Sequence, residues 1–375
     1  MEHTTFIGLD VHKASISVAV AQGVRGGEVW HLGSVPNRAD QIRKLVEKLA
    51  ASGAQLQFCY EAGPCGYGLH RQLVEMGHDC SVIAPSLIPL KAGDRVKTDR
   101  RDAVLAKLHR PGELTAVWVP DAAHEAMRDL VRARATAMRV AGKARQHLQG
   151  FLLRHSRIYP GKKGWTGAYR RGLALVRFTH PAPQIVLQDY IEAVAEAEAR
   201  VERLTGQIAD LPPHWSLAPV VEAVQAVRGV GFIVAVTVVA EVGDFGRFDT
   251  PRQLMAYLGL APSEHSSGAS VRRGGITKAG SGLARSALIE GALSYRMQAR
   301  VSVKLLARLE ALPKVVRDIA WMGQIRMCQR YRHLNAAGKA KVVVVTAIAR
   351  EMLGFVWAIA RAVTAPPASP NATAA

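Results

Sequence analysis

Phe6-Ile7-Gly8-Leu9-Asp10-Val11-His12-Lys13, running on into Ser15-Ile16-Ser17-Val18-Ala19-Val20, organises the N-terminal third of the chain. It reads as a hydrophobic strand, a tight turn and a second strand alternating with period two. That pattern sets Asp10 at the end of a central strand with its carboxylate facing outward. Val29-Trp30-His31-Leu32 supplies a third antiparallel strand, and Pro36-Asn37 caps a helix with Ile42, Leu45, Val46 and Leu49 on one face. Leu56-Gln57-Phe58-Cys59-Tyr60 follows as a buried strand ending in Glu61. The Gly63-Pro64-Cys65-Gly66 turn leads into a helix with Leu69, Leu73 and Val74, and Ser81-Val82-Ile83-Ala84 is the next strand, closed by Pro85. Three antiparallel strands, then strands alternating with helices, make a mixed sheet with helices on its faces.

This is the ribonuclease-H-like order, and it gives the acids a meaning. Asp10 closes the first strand and Glu61 the fourth; if those strands are adjacent and parallel, both carboxylates emerge at one edge, where open sheets place ligands. Lys97-Thr98-Asp99-Arg100-Arg101-Asp102 adds two more acids, whose three-residue spacing sets them on one face of a helix capped by Thr98 and running through Ala103, Leu105 and Leu108. Acids in a first helical turn also serve simply as dipole partners. Hard divalent cations want clustered carboxylate oxygens, and Asp10, Glu61, Asp99 and Asp102 can supply a nuclease-type Mg²⁺ or Mn²⁺ site. An actin-like sugar kinase opens with the same first phrase but needs a glycine-rich phosphate loop and a later adenosine segment; neither is visible.

The 375 residues, 49% of them hydrophobic, suffice for two or three domains with ample core. Lys and Arg total 49 against 30 Asp and Glu, a formal charge of +19 that points to a polyanionic partner. Four cysteines without a CxxC pair argue for a reducing compartment and against structural zinc. The N-terminus lacks a basic leader followed by an apolar run, and the longest apolar segments, 230–240 and 342–347, fall short of the ~20 residues of a membrane span. The expectation is a cytoplasmic, nucleoid-associated protein with no membrane partner.

Residues 128–177 carry thirteen Lys or Arg against a single acid, Asp129, while Ala133, Ala137, Val140, Ala144, Leu148 and Phe151 recur at helical spacing. A long helix with a slim apolar seam and basic flanks is a phosphate-contacting arm, with Arg132, Arg139 and Lys143 as candidate contacts. After a Gly- and Pro-rich loop that includes Pro181-Ala182-Pro183, a second helix from Gln188 shows Ile191, Val194, Val201, Leu204 and Ile208, with Glu192, Glu196, Glu198 and Glu202 on its other faces. Two such helices pair antiparallel or dimerise, so a homo-oligomer, dimer or tetramer, is expected. The domain boundaries read as 1–125, 126–215 and 216–364, with a disordered tail at 365–375.

In the last of these domains, Arg228-Gly229-Val230-Gly231 before a helix reads either as a helix-hairpin-helix turn, whose glycines let backbone N–H groups approach a phosphate, or as a generic helix turn. Ser263 to Gly280 then alternates small residues, hydroxyls and cations, followed by a helix bearing Arg285. A hydroxyl beside cations that hold a phosphodiester is a candidate nucleophile, although serines in loops also serve as turn formers. Arg272, Arg273, Lys278 and Arg285 are the candidate phosphate contacts.

Gly8-Leu9-Asp10-Val11-His12-Lys13, Tyr60-Glu61-Ala62-Gly63-Pro64, Lys97 to Ala103, Arg228-Gly229-Val230-Gly231 and the phrase from Ser266-Ser267-Gly268 to Ile276-Thr277-Lys278, in this order, resemble the transposases of insertion sequence family 110 over about residues 5–360. The resemblance implies a RuvC-like domain with a DEDD metal site, a coiled-coil insertion and a mainly helical C-terminal transposase domain with a serine nucleophile. It sets the metal-binding acids on Asp10, Glu61, Asp99 and Asp102, and the nucleophile on Ser267 before Gly268, with Ser266 one register shift away. It also implies a structured guide RNA, the bridge RNA, pairing with donor and target DNA. Ser281 stands where the family usually has Asn, and Ala284 where it usually has Leu. The competing functions are a metal-dependent Holliday junction resolvase without a covalent intermediate, and an inactive nucleic-acid-binding protein.

Overall fold

The computed structural model describes residues 4–24, 26–89, 101–161, 164–211, 215–264, 266 and 270–364, with the backbone alone at Arg101, Arg273 and Lys304. The chain divides into two compact units, Met1–Val119 and Pro120–Ala375.

The first unit is a mixed sheet flanked by helices. Its strands β1 (Thr4–Val11), β2 (Ser15–Gln22), β3 (Val29–Pro36), β4 (Gln55–Glu61) and β5 (Asp79–Ile83) lie in the order β3-β2-β1-β4-β5. β1 pairs antiparallel with β2 and parallel with β4, β2 pairs antiparallel with β3, and β4 pairs parallel with β5. The expected adjacency of the strands ending in Asp10 and Glu61 is therefore present. Alternation divides the sheet's residues between two faces. Ile7, Leu9, Ile16, Val18, Phe58 and Tyr60 pack on helices α1 (Ala39–Ala50) and α2 (Gly68–Glu75). The other face carries Ala19, Ala21 and Cys59 and receives α3 (Arg101–His109) through Ala106 and Leu105. Asn37 does not cap α1: Arg38 holds the cap position without a side-chain bond, and Asn37 instead donates to the His12 carbonyl at 2.8 Å, tying the β1–β2 turn to the end of β3.

The second unit is built on helices α4 (Ala122–Arg154), α5 (Gly167–Leu175), α6 (Pro181–Asp210), α7 (Ala218–Val224), α8 (Phe232–Val242), α9 (Pro251–Tyr257), α10 (Gly282–Ala292), α11 (Val303–Glu310), α12 (Lys314–Ala336) and α13 (Lys341–Thr364), with a two-stranded ribbon of β6 (Pro262–Glu264) and β7 (Arg273–Ile276). Asp121 caps α4 by accepting the His124 N–H at 2.7 Å. α6 begins at Pro181, not Gln188, because proline fits a first turn whose N–H groups have no helical acceptor and His180 caps it. α4 and α6 run antiparallel: Arg134 bonds Thr205 at one end and Arg145 bonds Glu198 further along. The ribbon is a second difference, since the Ser263–Gly280 stretch reads as loop from sequence.

α13 is long and apolar enough to cross a membrane by length and composition, which corrects the reading of its apolar run as too short. Val344, Ile348, Met352, Val356 and Ile359 are buried, and the helix packs against α7, α9, α10 and α12 as the centre of this unit's core. The Gly229–Gly231 turn joins α7 to α8. Gly229, at φ 87°, is pressed against α10: a Cβ there would lie 2.2 Å from the Gly291 carbonyl oxygen, so this glycine serves helix packing. Gly231 is open and caps α8 without a side-chain bond.

Candidate functional site

Three of the four expected acids lie on described residues, and all three belong to the α3 face of the sheet. Gly8 pairs with Cys59 across β1 and β4, the ladder runs to Leu9 and Tyr60, and Asp10 and Glu61 are the next residue on each strand. Both are partly exposed, and His12 Nε2 lies 3.4 Å from Asp10 Oδ2. Asp102, in the first turn of α3, is buried with 1% of its surface exposed. Its approach depends on Gly8, where a Cβ would fall 2.2 Å from the Asp102 carbonyl oxygen and 2.6 Å from the Ala106 nitrogen. A glycine two residues before Asp10 thus brings the Asp102 helix down onto the strand that carries Asp10.

Sequence reasoning missed the groups that hold Asp102. Ser17 Oγ donates to its Oδ2 at 2.9 Å, His31 Nδ1 lies 2.8 Å from the same oxygen, and the Ala103 N–H donates to Oδ1 at 2.9 Å. Ser17 is the cross-strand partner of Asp10, so the hydroxyl that holds Asp102 stands beside Asp10 on the neighbouring strand. A signal was available for Ser17: it is a hydroxyl alternating with two core residues, Ile16 and Val18, one strand from Asp10. Asp99 and the expected Thr98 cap lie outside the described residues. Among the described residues no three of His, Cys, Asp and Glu gather closely enough to hold a metal ion. The donor chemistry, carboxylate oxygen throughout, suits a hard cation such as Mg²⁺ or Mn²⁺ and not a thiolate-seeking metal.

The second candidate cluster surrounds the ribbon. Ser267 and Gly268 lie outside the described residues. Ser266 Oγ donates to Glu264 Oε1 at 2.8 Å and accepts from the Arg272 N–H at 3.2 Å, so this hydroxyl is engaged in holding the ribbon's loop. Arg272 and Lys278 are exposed. Lys278 adopts φ 59°, a left-handed backbone uncommon for a residue with a Cβ, and such strain collects at functional loops. The surroundings enforce it: the Lys278 N–H donates to the Gly259 carbonyl at 3.1 Å, and Arg285 Nη1 donates to the Leu258 carbonyl at 2.9 Å and to the Ala279 carbonyl. Arg285 is thereby a clamp on the loop carrying Lys278.

On the arm, Arg132 is held by a bidentate pair, Nε to Glu241 Oε1 at 2.8 Å and Nη2 to Oε2 at 3.1 Å. Burial pushes the Glu241 carboxyl up, but Arg132 and the Ser281 hydroxyl outweigh it and hold the group below its ordinary value. Ser281 also caps α10 by accepting the Ala284 N–H, so the residue that differs from the family's Asn ties α8 to α10. Arg145 and Arg170 pair with Glu198 at 2.5 Å and 2.7 Å. Arg139 and Lys143 are exposed on α4, and Arg139 bonds Thr136 on its own helix.

A mixed sheet with acids on one helix-covered face is an α/β fold consistent with a nuclease-like domain of the DEDD type. The comparisons give the family. Residues 7–156 match the DEDD transposase family of the IS110 type, and residues 221–305 match the transposase IS116/IS110/IS902 family. The Sinorhizobium fredii protein y4qE, which carries a transposase name, is 52% identical over 95% of this chain and 88% of its own length. The transposase for insertion sequence element IS1533 of Leptospira borgpetersenii is 31% identical over 66% of this chain and 74% of its own. A pilin gene-inverting protein of Moraxella bovis is 22% identical over 95% of this chain and 96% of its own. The chain belongs to the IS110 family of insertion-sequence transposases, enzymes that cut and recombine DNA.

Proposed function

We propose that this transposase exchanges DNA strands through a covalent phosphoserine, with the first unit as metal domain and the second as nucleophile domain. The observation that carries the reading is the shared face of Asp10, Glu61 and Asp102 in a chain of this family. Asp10, Glu61, Asp99 and Asp102 would hold Mg²⁺ or Mn²⁺, which when bound supplies Lewis acidity toward phosphoryl oxygens. Ser267 Oγ attacks a phosphodiester phosphorus; the serine O–P bond forms as the bond to the 3′ oxygen breaks, and the serine proton ends on the released 3′ hydroxyl. A second 3′ hydroxyl reverses the step and reseals the strand, so bond energy is conserved and no nucleotide cofactor is consumed. The gene-inverting name of the Moraxella relative favours such cut-and-rejoin chemistry over the simple hydrolysis of a junction resolvase.

Ser267 is favoured over Ser266 because the Ser266 hydroxyl already bridges Glu264 and Arg272. Lys278, Arg272 and Arg273 contact the phosphate, and Arg139 and Lys143 contact the nucleic-acid backbone along the arm. Arg132 and Arg285 act inside the chain, through Glu241 and the Lys278 loop. A structured guide RNA, carried as the bridge RNA, selects donor and target DNA, and the working particle is a homo-oligomer of two or four chains. The test is to trap protein on cut DNA: Ser267→Ala should abolish the adduct and Asp10→Ala should abolish cleavage while nucleic-acid binding persists. An adduct surviving in Ser267→Ala rules out this nucleophile. Sequencing the RNA that copurifies from the native locus tests the guide, and its absence would count against guided recombination.

A further inference from the structure

The β2–β3 ladder breaks step beside the acids. Val18 pairs with Gly33, yet Ala19 pairs with His31, so Leu32 is an extra residue in β3. Gly33 sits at φ 122°, a backbone that residues with a side chain avoid. One extra residue in a strand exchanges which face every following side chain takes. With an unbroken register, Ala19 would face Leu32, and His31 would fall on the α1–α2 face. The bulge lets Leu32 and Val35 both join the core on that face while His31 shares the α3 face with Ser17 and Ala19. It is there that His31 Nδ1 reaches Asp102 Oδ2 at 2.8 Å, beside Ser17 Oγ at 2.9 Å. Ser17 Oγ donates to that oxygen, and His31 Nδ1 is within hydrogen-bond reach of it.

Resting on the reading that the acids hold a divalent cation, we infer that Ser17 and His31 are positioning residues, brought to the α3 face by the Gly33 bulge, which fix the Asp102 carboxylate for metal. Two neighbours on one oxygen and the Ala103 N–H on the other lock the carboxylate's torsion. Oδ2, with two neighbours already against it, has no acceptor position left, while Oδ1, with one, keeps its second for a cation. Outer-shell donors of this kind change metal affinity by ~10–100-fold when removed.

The test is Mn²⁺ binding by the full-length chain, followed by calorimetric titration and by the Mn²⁺ paramagnetic resonance signal. Wild type, Ser17→Ala, Ser17→Thr, His31→Phe, His31→Asn and Asp10→Ala are compared. Ser17→Ala and His31→Phe are expected to weaken Mn²⁺ by ~10–100-fold. Ser17→Thr keeps the hydroxyl and His31→Asn keeps a donor at the Nδ1 position, so both should restore most of the affinity; a merely structural role would not follow the donor. Mn²⁺ affinities of Ser17→Ala and His31→Phe within about twofold of wild type would overturn the positioning role. Wild type binding no better than Asp10→Ala would instead overturn the metal reading, and this inference with it.

Discussion

Adding one carbon at Gly8 tests how the acid face is assembled. An alanine Cβ there would lie 2.2 Å from the Asp102 carbonyl oxygen, 2.6 Å from the Ala106 nitrogen and 3.1 Å from Leu105 Cβ. Ordinary contact starts at 3.4 Å, so α3 has to rise from β1 by roughly 1 Å. Two of those three atoms are helix backbone, which no rotamer change can move aside. Overpacking of this kind costs ~1–3 kcal/mol. The lift also stretches the bonds from Ser17 and His31 to Asp102, now 2.9 Å and 2.8 Å, out of hydrogen-bonding range. Each lost bond adds roughly 1 kcal/mol. Gly8→Ala is therefore expected to destabilise the first unit by roughly 3–5 kcal/mol. Because the chain has two units, a single melting curve mixes them, and the assay is native-state hydrogen exchange read on peptides from α3 and β1. Wild-type protection of those peptides in Gly8→Ala would refute the close-approach argument.

Other outcomes follow from the second unit. Arg132→Ala removes the bidentate partner of a carboxylate that is 4% exposed at its side chain; because Arg132 itself is 55% exposed, the expected loss is roughly 1–3 kcal/mol in urea unfolding, and Arg132→Ala with Glu241→Gln together should recover part of it. Arg285→Lys cannot reproduce a planar fork onto the carbonyls of Leu258 and Ala279, so the Lys278 loop should exchange its amides faster while α13 stays protected; unchanged loop exchange would remove the clamp role. Burial holds the His124 imidazole below its ordinary 6.5, and Glu241 sits below its ordinary 4.5. Both groups have depressed values, so their stability is complete above the unfolded values and is lost as pH falls. The second unit should weaken from about pH 6.5 downward through His124, and again below about 4.5 through Glu241. His124→Gln should flatten the first stage of a urea-midpoint profile, and a midpoint constant from pH 7 to 5.5 in wild type would contradict the assignment.

The mixed sheet was legible because its signals are local. Period-two alternation in β1 and β2, the apolar run of β4 and the polar turn between β1 and β2 each suffice within a few residues, and the end positions of Asp10 and Glu61 follow from strand length. Ser17 and His31 were not legible because their role depends on a one-residue slip between β2 and β3, and a slip is a property of pairing, not of either strand. Gly33 within an alternating strand was the available sign, since a strand-interior glycine often marks a bulge. The start of α6 was misplaced because Pro181 and Pro183 read as loop, although proline suits a first turn as well.

Charge counting shows a different limit. The run of cations from Arg128 to Arg177 reads as a basic arm, but a count of charges does not say where each guanidinium ends. Arg134 reaches Thr205 and Arg145 reaches Glu198 across the antiparallel α4–α6 pair, whose narrow apolar seams need polar links along their flanks, while Arg170 of α5 reaches Glu198 and Arg132 reaches Glu241 on α8. The same charge is thus divided between bonds inside the chain and the exposed surface, where Arg139 and Lys143 lie. Gly8 and Gly33 act in the opposite sense at the acid face: without side chains themselves, they decide which side chains meet there. Gly8 lowers Asp102 onto the strand of Asp10, and Gly33 lets His31 reach Asp102. The acids have defined places because residues with no chemistry of their own fix the height of α3 and the register of β3.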